Sequence, residues 1–385
     1  MNLHRKQLQA ALRILAPLTG QRHTLPTLTH VRLTSSGSRL RIQATGLETV
    51  ATVTLASVDG YDAPFDVLLP AKALAAAAKG SAKGAGTIAV DGNRVGAGTI
   101  AGLPIADWPN VVEPVAPAYT AAAPSTDFDA RPMLESLAVV EHAISTDETR
   151  YHLNGAYIDP RGFVVATDGH RLTRAPLGFS FGSDREAGVI LPHVAVTVSL
   201  AAAKKVAAAT VRVGTCGDTR TTCHGVARAR GKVTLAISRA DGLDVEITTL
   251  GIDGDFPEYD RVIPSWIDAR GWDGLHAATE LDAPAVLTAL VDLEPYRNRE
   301  NRTLGVEATL NGCLRLRAVN PGVGEGIATV PTSNECPEIT VGVNADYVRD
   351  AMAIGDRLEF HVRDGLTQMA FRCGERLAVV MPMRV

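Results

Sequence analysis

The residues best suited to chemistry stand together in VVATDGHRLTR, positions 164–174. Asp168 and His170, two apart, have the makings of an acid–base pair, and Arg171 and Arg174 could hold an anion beside it. On a strand, residues two apart share a face; on a turn no such rule holds. A catalytic site also needs a nucleophile or a metal held in a fixed geometry. The neighbouring sequence offers neither, and the chain contains no GxxxxGK[ST] phosphate loop and no HExxH pair. GVGEG, Gly322 to Gly326, is too short for a dinucleotide turn and follows no convincing βαβ unit. A second cluster, CGDTRTTCH, places Cys216, Cys223 and His224 close in sequence. Zinc would require a fourth ligand and usually tighter cysteine spacing, so a polar hairpin or loop is expected there. The 164–174 stretch keeps three readings: an enzyme site on Asp168 and His170, a structural turn, or the rim of a binding surface.

Elements that position these residues follow from composition and pattern. The chain has 385 residues, 46% apolar and 21% charged, with a formal charge of -4. That is a folded, soluble composition, too long for one compact core and divisible into two or three domains. A basic domain is not indicated, although a local basic lining remains compatible. Five cysteines, odd in number and widely spaced, predict reduced thiols and a cytoplasmic location. The opening MNLHRKQLQAALRILAPL reads as an amphipathic helix rather than a signal peptide. No run of 18 apolar residues occurs, so no membrane partner is expected.

The chain repeats one pattern three times. LRIQATGLET, FVVATDGHRL and LRLRAVNPGV are alternating strands that enter turns rich in Gly, Asn or Asp. Each follows a shorter strand: THVRLTSS, NGAYIDPRG and VEATLNG. Upstream of each pair the spacing predicts a helix, with faces Leu8, Leu12 and Leu15; Leu134, Leu137 and Ile144; and Leu287, Leu290 and Val291. Downstream, a second helix is expected near Pro70, near Pro192 and after Asn344, since Pro suits a helix start and Asn caps one. Short strands then run to Pro109, Pro257 and Pro382. The middle repeat carries extra residues between its second helix and Pro257. The expected class is α+β: three domains of helices on antiparallel sheets, at 1–120, 121–265 and 266–385. Open sheet edges at both ends would need covering, which a symmetric dimer could supply by closing a six-domain ring.

TLPTLTHVRL with ATGLE, TRYHLNGAY with ATDGHRL, GDFPEYDRVIP and the closing VVMPMRV keep their order along the chain. In these segments the sequence resembles the bacterial DNA polymerase III beta subunit, the replicative sliding clamp. The resemblance implies a homodimeric ring of three similar domains per subunit that encircles double-stranded DNA. It implies that the replicative polymerase, clamp loader and repair proteins are held by short peptide motifs, with no cofactor and no catalysis. It places a peptide pocket between the second and third domains. The matching positions are Leu153, Thr167, Gly169, His170, Arg171, Leu172, Pro257, Arg261, Val262, Asn344, Tyr347, Val379, Val380, Met381, Pro382, Met383 and Arg384. It implies DNA contacts at Arg22, although QRHTLP is not a clean match, and at the turn Arg150, Tyr151 and His152. Val385 stands where the family commonly has leucine. NRENRTLGVEATLNG, VDLEPYRNRE and RTTCHGVARARGK depart from the family pattern.

These residues have a physical reading of their own. Leu153, Leu172, Val262, Val380 and Met383 would offer an apolar floor, and methionine adapts to varied side chains. Arg171 and Arg384 would bond peptide carbonyls. Val379 and Val380 are neighbours on a strand, so one would line the pocket while the other packs inward. Lys72, Lys204 and Lys205 lie on or beside helices and would meet phosphate if those helices line a central hole. Ordinary solvated helix faces account for each lysine equally well. Two other readings stand beside the clamp: a relative that binds peptides without forming a ring, and the enzyme.

Overall fold

A computed structural model of the chain describes residues 1–20, 25–58, 64–79, 86–109, 127–182, 188–221, 227–267, 277–297, 305–332 and 338–383, with backbone alone at 215–221, 227–230, 266, 277 and 305. It divides into two compact units. The first holds Met1–Ala138, Ile158–Arg161 and Gly178–Gly254; the second holds Val139–Tyr157, Gly162–Leu177 and Asp255–Val385. The middle third of the chain is therefore shared between them.

Six α-helices occur among the described residues, in the order expected: α1 Arg5–Thr19, α2 Ala71–Lys79, α3 Arg131–Val140, α4 His193–Ala203, α5 Ala283–Asp292 and α6 Ala345–Ala351. None is long and apolar enough to cross a membrane. The leucine spacing of α1 buries Leu8, Leu12, Leu15 and Leu18 on one face. Two of the expected faces need correction. α3 stops at Val140 and a 3₁₀ turn, Glu141–Ala143, follows, so buried Ile144 lies beyond the helix. In α5 the buried face runs through Val286 and Leu290 to Leu293, whereas Val291 is 70% exposed. Val291 is one step, about 100°, round the helix from Leu290 and so misses the face. Pro70 ends a strand immediately before α2 rather than lying within it, and Pro192 occupies the N-cap position of α4. Asn344 caps α6 by accepting the Asp346 amide at 2.9 Å, as its type predicts.

The first unit contains an eight-stranded antiparallel sheet. Its order is Asp66–Pro70, His30–Ser36, Arg39–Thr45, Thr49–Ala56, Asp244–Leu250, Ala227–Arg239, Val206–Thr221 and Phe128–Asp129. Period-2 alternation gives it a core face: Val31 and Leu33, Leu40 and Ile42, Leu235 and Ile237 are buried, with Arg32, Arg41 and exposed Ala236 between them. α1 packs beside α2 and α4 over this side. A smaller sheet runs Asn2–His4, Thr87–Asp91, Arg94–Val95 and Gly98–Thr99. The extra residues of the middle repeat form the two longest strands, 16 and 13 residues.

In the second unit the strands run side by side in the order Phe163–Thr167, Arg171–Pro176, Arg376–Val380, Met369–Cys373, Arg357–Val362 and Ala277–Asp282. A four-stranded sheet follows the order Gly324–Pro331, Cys313–Asn320, Gly305–Leu310 and Ile339–Asn344. GVGEG forms the turn into the outermost of these strands, with Asn320 Oδ1 accepting the Gly322 amide at 3.0 Å; it is a hairpin turn, not a nucleotide loop. Cys313 and Cys373 are free thiols. Cys223, His224 and Cys336 lie outside the described residues, as does the side chain of Cys216.

Candidate functional site

The 164–174 stretch is a hairpin in the second unit. Phe163–Thr167 pairs with Arg171–Pro176, and Thr167 faces Leu172. The turn is made by side chains bonding their own backbone, which Asp and Thr do well. Asp168 Oδ1 accepts the amides of His170 at 2.9 Å and Arg171 at 3.0 Å. The Thr167 hydroxyl donates to the Arg171 carbonyl at 2.7 Å and accepts the Gly169 amide at 3.1 Å. Gly169 has φ +89°, a backbone conformation that favours glycine, and a Cβ there would need the tip of the Arg150 side chain to move aside.

This geometry employs Asp168 structurally. Its second oxygen accepts Arg171 Nε at 3.1 Å. His170 is exposed, and its ring stacks on Tyr347 with centroids 6.5 Å apart. Among the described residues no three His, Cys, Asp or Glu side chains are placed to hold a metal.

Arg171 has a different task from the one expected of it. Its side chain is 13% exposed, and Nη1 donates to Asp350 of α6 at 2.5 Å. Nη2 donates to the His142 carbonyl, and the guanidinium lies 4.5 Å from the centre of the Tyr347 ring. Arg171 thus ties the turn to α6 and to the 3₁₀ turn after α3, leaving little of it for a peptide carbonyl. Two members of this cluster escape a sequence reading. Asp350 stands three residues after Tyr347, the spacing that places both on one helix face, and that was its only signal. His142 has none. Its Nε2 lies 3.1 Å from the Thr173 hydroxyl; burial, then the adjacent Arg171 charge, pushes its pKa down to about 4. The Tyr347 phenol is pushed up, first by burial and then by Asp168.

The segment after residue 376 is threaded through the same place. Arg376–Val380 pairs with Arg171–Pro176, setting Val380 against Arg171 and Val379 against Leu172. The Met381 amide donates to the His170 carbonyl at 2.9 Å, and the Met383 amide to Gly342 at 2.8 Å. Val379 and Val380 are both about 1% exposed, so the expectation that one lines an open pocket gives way to two core residues. Each side of this strand is covered, which hides both positions of the alternation. Leu153 and Leu172 are buried; Val262 and Met381 are each 40% exposed, while Pro382 and Met383 are half-buried. Gln368 Nε2 donates to the Val262 carbonyl at 3.2 Å, linking the 257–262 loop to the strand that begins at Met369. Buried Tyr259 anchors that loop with Phe256, which stacks on Tyr157 at 4.8 Å. Pro257 and Arg261 are exposed, and Arg261 pairs with Glu258 at 2.5 Å.

Of the expected DNA-contacting residues, Arg150, Tyr151 and His152 lie in the second unit on a 3₁₀ segment, Glu148–Leu153. Asp147 caps it, and hydrogen bonds from Thr149, then from Arg150, hold its carboxyl down at about 2. Tyr151 is 56% exposed. In the first unit Lys72 is exposed on the first turn of α2, and Lys204 and Lys205 are exposed at the end of α4. Lys205 adopts φ +69° and lies 3.9 Å from Asp241. Arg22 and Arg384 lie outside the described residues. A concavity on the first unit's large sheet, lined by Arg39, Arg41, Thr52, Asp244 and Glu246 among others, includes none of the expected site residues.

Comparison with known proteins covers the chain from end to end. The family model for the DNA polymerase III beta subunit, N-terminal domain, matches residues 1–111. The beta sliding clamp of Pseudomonas aeruginosa is 26% identical over 402 residues, spanning 100% of this chain and 99% of the relative. The beta sliding clamp of Escherichia coli K12 is also 26% identical, over 412 residues, with the same two shares. The solved structure of a DnaN sliding clamp from Bartonella birtlesii, bound to griselimycin, superposes with a TM-score of 0.77 at 23% identity, covering 100% of this chain and 99% of that one. A Pseudomonas aeruginosa clamp, likewise bound to griselimycin, gives 0.75 at 25% with the same coverage. Residues 1–111 thus match the N-terminal domain of the DNA polymerase III beta subunit family, and with repeated antiparallel sheets among its described residues the chain is similar over its full length to the beta sliding clamps.

Proposed function

We propose that the chain is a DNA replication processivity factor: two copies close into a ring around double-stranded DNA and tether the replicative polymerase and other clamp-binding proteins. The observation that carries this reading is the match to beta sliding clamps over 100% of the chain and 99% of the relative. In this reading the chain comprises three clamp domains, 1–120, 121–265 and 266–385. Two sheet edges support closure by a second copy: Gly98–Thr99 ends the small sheet of the first unit, and Gly324–Pro331 ends the four-stranded sheet of the second. The latter presents Ile327, 48% exposed, and Val323, 61% exposed, at an edge that would otherwise invite uncontrolled pairing.

Processivity then follows from topology. Lys72, Lys204 and Lys205, with the Arg150–His152 segment, supply sequence-neutral attraction to phosphate, weak enough for sliding and screened by salt. The chain performs no chemistry; opening the ring falls to a separate ATP-driven loader. Partners dock on the second unit. Val262 and Met381 offer exposed apolar surface beside the anchored Pro257–Arg261 loop, and Met383, Asn344 and Tyr347 complete the surface. Burying one leucine-sized side chain there contributes about 1.5–3 kcal/mol, so a short motif with two such anchors binds weakly and exchanges readily.

The test is retention on nicked circular duplex after loading. The chain should stay bound through a high-salt wash and be released when the circle is linearised. Release at the same rate from circle and linear DNA would contradict encirclement.

A further inference from the structure

The solvent side of the first unit's large sheet holds a trough with walls of opposite charge. It is a cavity of about 470 Å³ over four neighbouring strands, Arg39–Thr45, Thr49–Ala56, Asp244–Leu250 and Ala227–Arg239. The register sets its residues in rungs. Arg41 stands opposite Thr54, Thr54 opposite Asp244, and Asp244 opposite Ser238. The next rung runs Gln43, Thr52, Glu246 and Ala236. Arg39 lies one rung to the other side of Arg41, opposite Ala56. The reverse face of these strands is core, since Ile42, Val53, Val245 and Ile237 are at most 2% exposed. Arg39, Arg41, Asp244 and Glu246 are exposed and form the walls, with Thr52 and Thr54 as a floor of short side chains between them.

The two walls do not neutralise each other. They stand two strands apart, about 9.6 Å. Among the described residues Arg39, Arg41 and Glu246 enter no ion pair, and Asp244 accepts the Ser238 hydroxyl at 3.0 Å. Elsewhere on this face an arginine is satisfied: Arg32 donates to both oxygens of Asp66 at 3.0 and 2.7 Å. A simple anion or cation in the trough would be repelled by one wall, so the walls select a ligand that carries both signs. Its shape follows from the spacing. Each wall repeats every ~6.7 Å, the interval at which an extended peptide repeats its same-side side chains. Laid along the trough, such a peptide turns alternate side chains to the two walls, and the threonine floor lets its backbone approach. Arg41 and Asp244 share a rung, while Arg39 extends the basic wall one way and Glu246 the acidic wall the other. The matching peptide therefore carries two acids two apart, followed at once by two bases two apart.

We propose that this trough binds an extended partner segment of mixed charge, its acidic side chains on Arg39 and Arg41 and its basic side chains on Asp244 and Glu246. The trough lies wholly in the first unit and requires neither a closed ring nor the docking surface of the second unit. The probe is the blocked hexapeptide DADKAK, titrated at low salt into the full chain while the Ala236 methyl resonance is followed. Four exposed ion pairs support a dissociation constant on the order of 1 mM. The methyl should shift and saturate with DADKAK, whereas the single-sign peptides DADDAD and KAKKAK should bind about tenfold more weakly or less. Arg39→Glu with Arg41→Glu should weaken DADKAK by about tenfold or more. Adding Asp244→Lys with Glu246→Lys should restore it, because the exchanged walls accept the same peptide running the other way. Loss in the double variant without recovery in the quadruple one would overturn the trough, as would DADDAD binding as tightly as DADKAK. An Ala236 methyl unmoved in the wild-type chain by peptide at about ten times that constant would overturn it with no variant involved. Retention on nicked circular duplex reads the clamp separately, so either reading can fail without the other.

Discussion

Removing Arg171 tests how the candidate site is held. The guanidinium is 13% exposed and meets Asp168, Asp350, the His142 carbonyl and the Tyr347 ring at once. Arg171→Ala leaves Asp350 facing only Arg349 at 3.4 Å, and leaves a carbonyl without its donor. Breaking one side of a fully buried ion pair costs about 3–5 kcal/mol. Asp350 is 24% exposed, so solvent screens part of this and about 2–3 kcal/mol remains. The loss falls on the tie between the turn and the closing segment, where the Met381 amide bonds His170. Hydrogen exchange reads that tie directly. Exchange at Met381 should accelerate roughly 30- to 140-fold in Arg171→Ala, taking 1.4 kcal/mol per tenfold. Arg171→Lys should accelerate it nearly as much, because an ammonium cannot span the same partners. Tyr347→Phe, which keeps the ring face, should change it little. A Met381 rate within twofold of wild type in Arg171→Ala would refute the assignment of Arg171 as the central tie.

Three further expectations follow. His142 has a folded pKa near 4, below the ordinary 6.5, so its stabilisation is complete above about pH 6.5 and is lost as pH falls toward 4. The loss is about 2 kcal/mol by pH 5, and the difference in urea midpoint between pH 7.5 and pH 5 should shrink in His142→Asn; an equal difference would contradict it. Gly169→Ala should destabilise the second unit by about 1–3 kcal/mol in denaturant titration, since φ +89° strains any residue with a Cβ. Val262→Asp or Met381→Asp should weaken a leucine-bearing partner peptide more than tenfold in a titration while preserving dimerisation, and unchanged affinity would remove these residues from the site.

Much of this was legible beforehand. Leucine spacing gave α1, Asn344 announced the cap of α6, and alternating strands gave the sheets, because these signals are local. Val291 misled because a valine one step past Leu290 matches the apolar pattern by type but not by angle. The burial of both Val379 and Val380 depends on what covers each side of their strand, which period-2 alternation cannot express. The Arg171 cluster joins residues 142, 168, 347 and 350, and no spacing rule connects positions so far apart.

The central claim is that a second copy closes an opening through which duplex passes. Images of single particles in solution test it without partners, loader or substrate. Two-fold symmetric projections with a clear central hole are the expected result at concentrations where the chain is dimeric. Solid particles, or open arcs at every concentration, would contradict it.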